Sequence, residues 1–485
     1  MTEKLVSPLL PHIQGYVAGR WLTTKGTSAS AVHNPATGQL LASVPSTSAL
    51  EVEQAIEAGK LLLAEPPSLE QRSAWLATIA TQLQTHADEL GRIITLEHGK
   101  PWREGKAEAV YAAGFFKYCA DNIQELAPRR VDRGARTDSW TVYHRPAGVV
   151  GLITPWNFPL GMIAKKLSAA IAAGCPSIIK PASKTPLTMI ALFTLLDREL
   201  TFPAGFVNLA LGSPSVIGKV LCEHPDVPVL SFTGSTEVGK QLIEATKHRV
   251  KRLSLELGGN APFLVFADAD LELAADQLLA NKFRGGGQTC VCTNRVLADA
   301  SIADAFAALV RTRVAKLKVG NGLDADTDIG PLIDRAGWEK VHAHVTDALR
   351  LGATLVHGPK ATEPEGNVKA FYPPTVLGKV NAEMACWKEE TFGPLVPIAE
   401  FGSEAQAITQ ANDTEYGLAA YVFTRDTARA ERVIARLQFG HVGWNTGSGP
   451  TPEAPFGGMK ESGYGREGGL EGLHEFTEVQ VVTHP

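Results

Sequence analysis

A chain of 485 residues exceeds one ordinary hydrophobic core and predicts two or three domains. Hydrophobic residues make up 44% and charged residues 20%, the balance of a water-soluble globular protein. A formal net charge of −5 gives no electrostatic case for nucleic acid or for an anionic membrane surface.

Glu3, Pro8 and Pro11 occupy the start, with no apolar run behind a basic segment, so no signal peptide is expected. No stretch reaches the roughly 18 apolar residues of a membrane span. Asn34, Pro35, Ala36, Thr37 and Gly38 predict a turn between short strands. Apolar residues at helical spacing predict one helix over 49–63 (Leu50, Val52, Ile56) and another over 69–95 (Trp75, Ile79, Leu83, Leu90, Ile94). Gly99 and Pro101 end the second. Residues 129–146 alternate Arg129, Arg130, Arg133, Arg136 and Arg145 with apolar residues, which suits a solvated hairpin or a subunit-contacting arm.

From 147 the texture becomes α/β. Short apolar strands at 147–154, 177–179, 207–209 and 229–232 alternate with helical patterns at 162–173 and 187–200. This alternation predicts a parallel sheet covered on both faces, with ligands beyond the carboxyl ends of its strands. The loops there are 155–159, 180–183 and 233–239. The last runs Thr233, Gly234, Ser235, Thr236, Glu237, Val238, Gly239 and opens a helix, where backbone N–H groups can hold a pyrophosphate. It is not GxGxxG, so the usual dinucleotide fingerprint is absent. Lys180 is either a ribose or phosphate ligand or a solvated strand-end lysine.

A second α/β pattern covers about 261–445, with helices near 271–283, 301–317 and 335–351. Between the halves, Glu256 sits in an apolar stretch beside Gly258 and Gly259; desolvation there would suit a base near neutral pH. The other reading is an exposed edge-strand glutamate. Gly285, Gly286 and Gly287 precede Gln288, Thr289 and Cys290. Glycines allow positive φ and close approach, and an ionised thiol is a nucleophile. The alternative is a tight turn with two buried cysteines, Cys290 and Cys292. Six cysteines in so long a chain form no disulfide framework, and CxC without a second pair or a His cluster makes no zinc site. The expected setting is the reducing cytoplasm, without a metal.

Seven motifs in order, PWNFP at 155–159, KPAS at 180–183, FTGSTEVG at 232–239, LELGGN at 255–260, GQTC at 287–290, EETFGP at 389–394 and PFGG at 455–458, resemble the aldehyde dehydrogenase superfamily over nearly the whole chain. GQTCVC, with SLELGGNAP before it and SGYGREGG after it, is most similar to the succinate-semialdehyde dehydrogenase branch. The resemblance implies two Rossmann-like α/β domains plus a small β oligomerisation arm. Residues 1–127 and 147–256 would bind cofactor, 257–445 would carry catalysis, and 128–146 with 474–485 would form the arm. The arm and the final strand would pair between subunits, giving a homodimer or homotetramer.

It also implies roles. Cys290 is the nucleophile, Glu256 activates water, Asn157 stabilises the oxyanion, and Lys166 belongs to the catalytic set. Trp156, Lys180, Ser183, Gly234, Ser235, Gly239, Glu390 and Phe392 hold NADP or NAD. Ser183 stands where NAD-preferring relatives tend to carry glutamate, and with Lys180 and Lys184 it leaves room and charge for a 2′-phosphate; the plainer reading of Ser183 is a helix N-cap. Arg284, Lys165, Phe158 and Ser448 face the substrate, a small carboxylated aldehyde. Lys165 stands where the family branch has arginine, and Gly447 to Pro452 lack its serine pair. Succinate semialdehyde, glutarate or 2-oxoglutarate semialdehyde, or a broader range of aldehydes would satisfy the same charge. Cys292 matches a position that in some relatives forms a reversible disulfide with the nucleophile. Glu256 argues for water rather than coenzyme A as acyl acceptor.

Overall fold

In the strand Arg252–Glu256 and the strand Ala261–Val265 the chain leaves one sheet and enters another within five residues, and this crossing is where the functional groups gather. The structure, a computed structural model, describes residues 5–23, 28–132, 134, 138–359 and 370–485. Glu3, Arg133 and Arg136, named above, lie outside the described residues.

The first sheet has eight strands. Its parallel centre runs Val207–Leu209, Ser177–Lys180, Val150–Ile153, Val229–Thr233 and Arg252–Glu256. Tyr16–Val17 and Gly463–Tyr464 add antiparallel pairing at either end. Chain order reverses between Val150–Ile153 and Val229–Thr233, so a crevice opens there at the carboxyl edge. The second sheet has seven strands in the order Thr354–His357, Thr375–Gly378, Leu395–Phe401, Thr293–Asp299, Ala261–Val265, Ala419–Phe423, His441–Trp444. Its strands are buried throughout the centre, as a sheet covered on both faces requires.

The helix Ala49–Leu62 starts from a capping box in which Ser48 and Glu51 satisfy each other's backbone N–H. The single helix expected over 69–95 is two, Leu69–Thr85 and Ala87–His98, broken at His86. Both halves bury their apolar residues in one core, so the spacing continues across the break and hides it. Gly99 ends the second at φ 97°, where a side chain would be strained.

Glu97 is fully buried and accepts from the N–H groups of Leu187 (2.7 Å) and Thr188 (2.8 Å), the first two residues of the helix Leu187–Glu199. Burial pushes its carboxyl up to about 8, against those hydrogen bonds. Glu97→Ala leaves two buried donors unpaired, at about 1–3 kcal/mol each. A thermal scan of the variant should show the unfolding midpoint several degrees lower; an unchanged midpoint would mean that water replaces the carboxylate.

Arg129–Val131 and Ser139–Pro146 form the antiparallel hairpin expected of the arm. The final strand Thr477–His484 pairs along the other edge of Ser139–Pro146, from Thr477 opposite Pro146 to His484 opposite Ser139. Within the chain the arm and the final strand thus form one three-stranded sheet, with Thr477–His484 at its edge. No helix among the described residues is long and apolar enough to cross a membrane.

Candidate active site

The three loops at the carboxyl edge line one cavity of about 730 Å³, through Pro155, Trp156 and Asn157, then Lys180 and Ser183, then Gly234 and Ser235. Glu390, Phe392 and Cys290 complete its wall. A Cβ on Gly234 would lie 2.3 Å from the Phe232 ring, so any larger residue in this turn would have to displace that ring. Ser235 caps the helix Thr236–Thr246 by accepting from Val238 N–H. Lys180 donates to the Pro181 carbonyl, and burial lowers its ammonium to about 8. Burial likewise pushes Glu390 up to about 7. Both groups gain from a polar ligand. The Phe392 backbone is left-handed at φ 56°, and its ring stands edge-on to Trp156 at 5.5 Å. Thr154 Oγ1 and Asn157 Oδ1 are buried without a hydrogen-bond partner. Size, glycine turn and donor set fit a dinucleotide.

Ser183 is not a helix cap; its hydroxyl donates to the Gly212 carbonyl. Lys184 pairs with Asp334 at the start of the helix Arg335–Arg350. Gly239 lies off the cavity wall. It packs its helix against Leu257, where a Cβ would come within 2.7 Å.

Cys290 follows a short turn in which Gly285, Gly286 and Gly287 have φ of 59°, 68° and 78°. The loop is wedged between distant motifs. A Cβ on Gly287 would lie 2.3 Å from Gly393 O, and one on Gly259 would lie 2.5 Å from Cys290 O. Cys290 Sγ lies 3.4 Å from Glu256 Oε1. Asn157 Nδ2 donates to Gln288 O at 3.0 Å, which brings the amide against the cysteine loop and leaves its second N–H. Lys100, paired with Glu108 at 2.6 Å in the interior, holds the Asn157 carbonyl at 2.8 Å. Burial and the Glu256 charge hold the Cys290 thiol well above its ordinary range, with Lys165 opposing them.

A second cavity, about 190 Å³, reaches Cys290 from the other side. Cys290 and Met162 line both. Phe158, Lys165, Arg284, Tyr111, Glu104, Pro450 and Phe456 form its walls. Arg284 stacks over the Phe158 ring at 5.3 Å and makes no ion pair among the described residues. Lys165 is different: its ammonium lies 3.6 Å from both Glu256 Oε2 and Glu467 Oε2. Lys166 holds Glu467 Oε1 at 2.5 Å and Ser231 Oγ at 2.9 Å. Burial raises the Glu256 carboxyl above the ordinary carboxylate range, Lys165 pulling it back; burial would raise Glu467 too, but Lys166 and Lys165 outweigh it and hold it low.

Ser448 is off this wall. It is exposed and shares a hydrogen bond with Thr446 Oγ1, while Pro450 from the same loop reaches the cavity. Cys292 is buried, with Sγ on the Gly287 carbonyl (3.3 Å) and beside Lys282 Nζ (3.6 Å), whereas Cys290 Sγ faces Glu256. Sequence reasoning misses Glu467 and Tyr111. Glu467 carries a faint signal, a charge among the glycines of SGYGREGG; Tyr111 carries none in its helix.

A thiol 3.4 Å from a carboxylate, reached by a dinucleotide-sized cavity on one side and a small cavity lined by Arg284 on the other, has the groups needed to add to a carbonyl and to hydrolyse the adduct. The aldehyde dehydrogenase family matches residues 21–482. Succinate-semialdehyde dehydrogenase [NADP(+)] of Escherichia coli (strain K12) is 45% identical over 471 residues, 97% of each chain. Glutarate-semialdehyde dehydrogenase of Pseudomonas putida (strain KT2440) is 43% identical over the same share. A solved structure of an oxidoreductase from Marinobacter aquaeolei superposes with a TM-score of 0.97 at 57% identity, covering 99% of this chain and 100% of that one. Sequence, fold and cavity arrangement agree: the chain belongs to the aldehyde dehydrogenase family and is an NAD(P)-dependent oxidoreductase of aldehydes.

Proposed function

We propose that the protein oxidises a small carboxylated aldehyde, succinate semialdehyde in the first place, through a thioester on Cys290. The observation that carries this reading is Cys290 at the junction of the two cavities, facing Glu256, with the unpaired Arg284 guanidinium in the smaller one. The aldehyde enters beside Arg284 and Phe158. Glu256 takes the thiol proton, Sγ bonds to the carbonyl carbon, and the second Asn157 N–H and the Cys290 N–H receive the charge forming on oxygen. Bound in the larger cavity, the nicotinamide dinucleotide supplies the acceptor of the electron pair that converts this adduct to the thioester. Once Glu256 has released the thiol proton to solvent, it draws a proton from water, which displaces the Cys290 thiolate and releases the acid.

Lys180, Ser183 and the absence of a glutamate at 183 support NADP as well as NAD. The two sheets support the division of labour expected from sequence, with 1–127 and 147–256 serving cofactor, 257–445 catalysis, and 128–146 with 474–485 an arm. Thr477–His484 is an edge strand with exposed Val479 and Val481, which suits a homodimer or homotetramer in the cytoplasm. A reversible Cys290–Cys292 bridge would require both thiols to leave their present partners. Glutarate semialdehyde, which carries the same terminal carboxylate, is the second substrate reading, supported by the 43% identity to a glutarate-semialdehyde dehydrogenase.

Growth of absorbance at 340 nm with succinic semialdehyde and each of NADP and NAD tests the proposal. Arg284→Leu should raise KM for this substrate about 10- to 100-fold, the loss of charge-assisted hydrogen bonds worth about 1.5–3 kcal/mol, and leave butanal unaffected. A panel of carboxylated aldehydes that yields no reduced cofactor would retire the reading.

A further inference from the structure

Lys165 lines the substrate cavity, yet its charge is directed away from it. The helix Gly161–Ala173 is buried along its whole length and presents Lys165 and Lys166 in succession. Both ammoniums converge on Glu467: Lys166 on Oε1, Lys165 toward Oε2. Glu467 Oε2 is buried and has no hydrogen-bond partner; Lys166 on Oε1 and then Lys165 at 3.6 Å balance the charge, and the Glu467 carboxylate in turn pushes Glu256 up. On its other side Lys165 lies 3.6 Å from Glu256 Oε2, the oxygen that also accepts from Thr233 Oγ1. Its ammonium sits over the Phe456 ring at 4.5 Å, which closes the apolar side.

The titratable and charged groups facing Lys165 come from every element around it. They are Glu256 at the end of the strand Arg252–Glu256, Glu467 ahead of the helix Gly469–His474, and Tyr111 from the helix Trp102–Asn122. Cys290 and Arg284 face the same cavity from the cysteine loop, Glu104 and Glu108 line it from the helix that carries Tyr111, and Lys166 is the neighbour of Lys165 in its helix. A cation meant for a substrate carboxylate would make no ion pair, and Arg284 makes none among the described residues. One placed within ion-pair distance of two buried carboxylates is already committed.

We infer that Lys165 is a positioning residue for Glu256: it is the fixed cation that favours the anionic form of the base and compensates the negative charge as the Cys290 proton moves. This rests on the reading of Cys290 as nucleophile and Glu256 as base. In that step the S–H bond breaks, the electron pair stays on sulfur, and the proton passes to Glu256 Oε1. The pair carries one negative charge before and after, and the charge remains beside Lys165 throughout. Burial and Glu256 raise the thiol, and Lys165 is the group that counters them, so the sign of its removal follows. Without Lys165 both Glu256 and Cys290 hold their protons to higher pH.

The test reads Cys290 directly, by mass-spectrometric rates of its alkylation with iodoacetamide across pH in the wild type, Lys165→Met and Lys165→Arg. The Met variant should need at least one pH unit more to reach half its maximal rate and react about tenfold more slowly at pH 7, and the Arg variant should return to the wild-type profile. Lys165→Gln replaces the Met variant if that one does not fold. In turnover, kcat/KM at pH 7 should fall by the same factor for butanal and for succinic semialdehyde. A superimposable alkylation profile in the Met or Gln variant would overturn the inference, as would a loss confined to KM for the carboxylated aldehyde. An aldehyde panel without turnover, together with an intact alkylation shift, would bring down the substrate reading and leave this one standing.

Discussion

Replacing Cys290 by serine is expected to cut steady-state formation of reduced cofactor by more than about a thousandfold, with the unfolding midpoint unchanged. The loss is chemical. Sγ has one hydrogen-bond partner among the described residues, Glu256 at 3.4 Å, so the hydroxyl fits the same space and the glycine turn that carries it is untouched. A hydroxyl attacks a carbonyl only if a base takes its proton in the same step, and its tetrahedral adduct leads to an ester, a less reactive acyl group than a thioester. Cys292 cannot take over from its present place, because it is buried with Sγ turned to Gly287 and Lys282. Absorbance at 340 nm with saturating aldehyde and cofactor measures the effect. Retention of more than a tenth of the wild-type rate would remove Cys290 from the reaction.

Much of this site is legible along the chain because the loops that matter begin where apolar strands stop. Ile153, Lys180, Thr233 and Glu256 end four neighbouring parallel strands, and a parallel sheet brings such ends to one edge whatever separates them in sequence. The glycines are legible too, since each marks a close approach. Gly287 lets Gly393 pass and Gly259 lets the Cys290 carbonyl pass, which ties the motifs GQTC, EETFGP and LELGGN into one contact.

What stays hidden depends on where side chains turn. Ser448 and Pro450 are two residues apart in one loop, and only the second reaches the cavity. Gly239 follows a phosphate-type turn but serves the packing of a helix on Leu257. Lys165 and Lys166 form an unremarkable pair in a sequence. Glu467 gives them meaning, and it arrives only because Gly463 and Tyr464 pair with Glu256 and Leu255 at the edge of the first sheet. The break at His86 is hidden for a related reason: both halves face one core, and spacing reports the core rather than the helix axis.

Glu256→Gln should leave a stoichiometric burst of reduced cofactor, slower than in the wild type, followed by turnover lowered about 10²- to 10⁴-fold. The amide keeps the size of the carboxylate, and Thr233 Oγ1 can still donate to its oxygen, so folding is expected to be preserved. What it loses is the capacity to accept a proton. The burst counts the thioester formed on Cys290, and the slow phase reports its hydrolysis, so the two halves of the reaction separate in one trace. The pH dependence carries a second signature. Burial raises the Glu256 carboxyl, and a base works only when ionised. Wild-type kcat should therefore fall as pH drops through a value above the ordinary glutamate range of about 4.3, and that acid limb should be missing from the glutamine variant. Hydroxylamine, a nucleophile that needs no base to attack a thioester, should restore much of the steady rate. If the variant instead showed no burst and kept the wild-type limb, Glu256 would be acting only on the thiol, and the water-activating base would have to be sought elsewhere around Cys290.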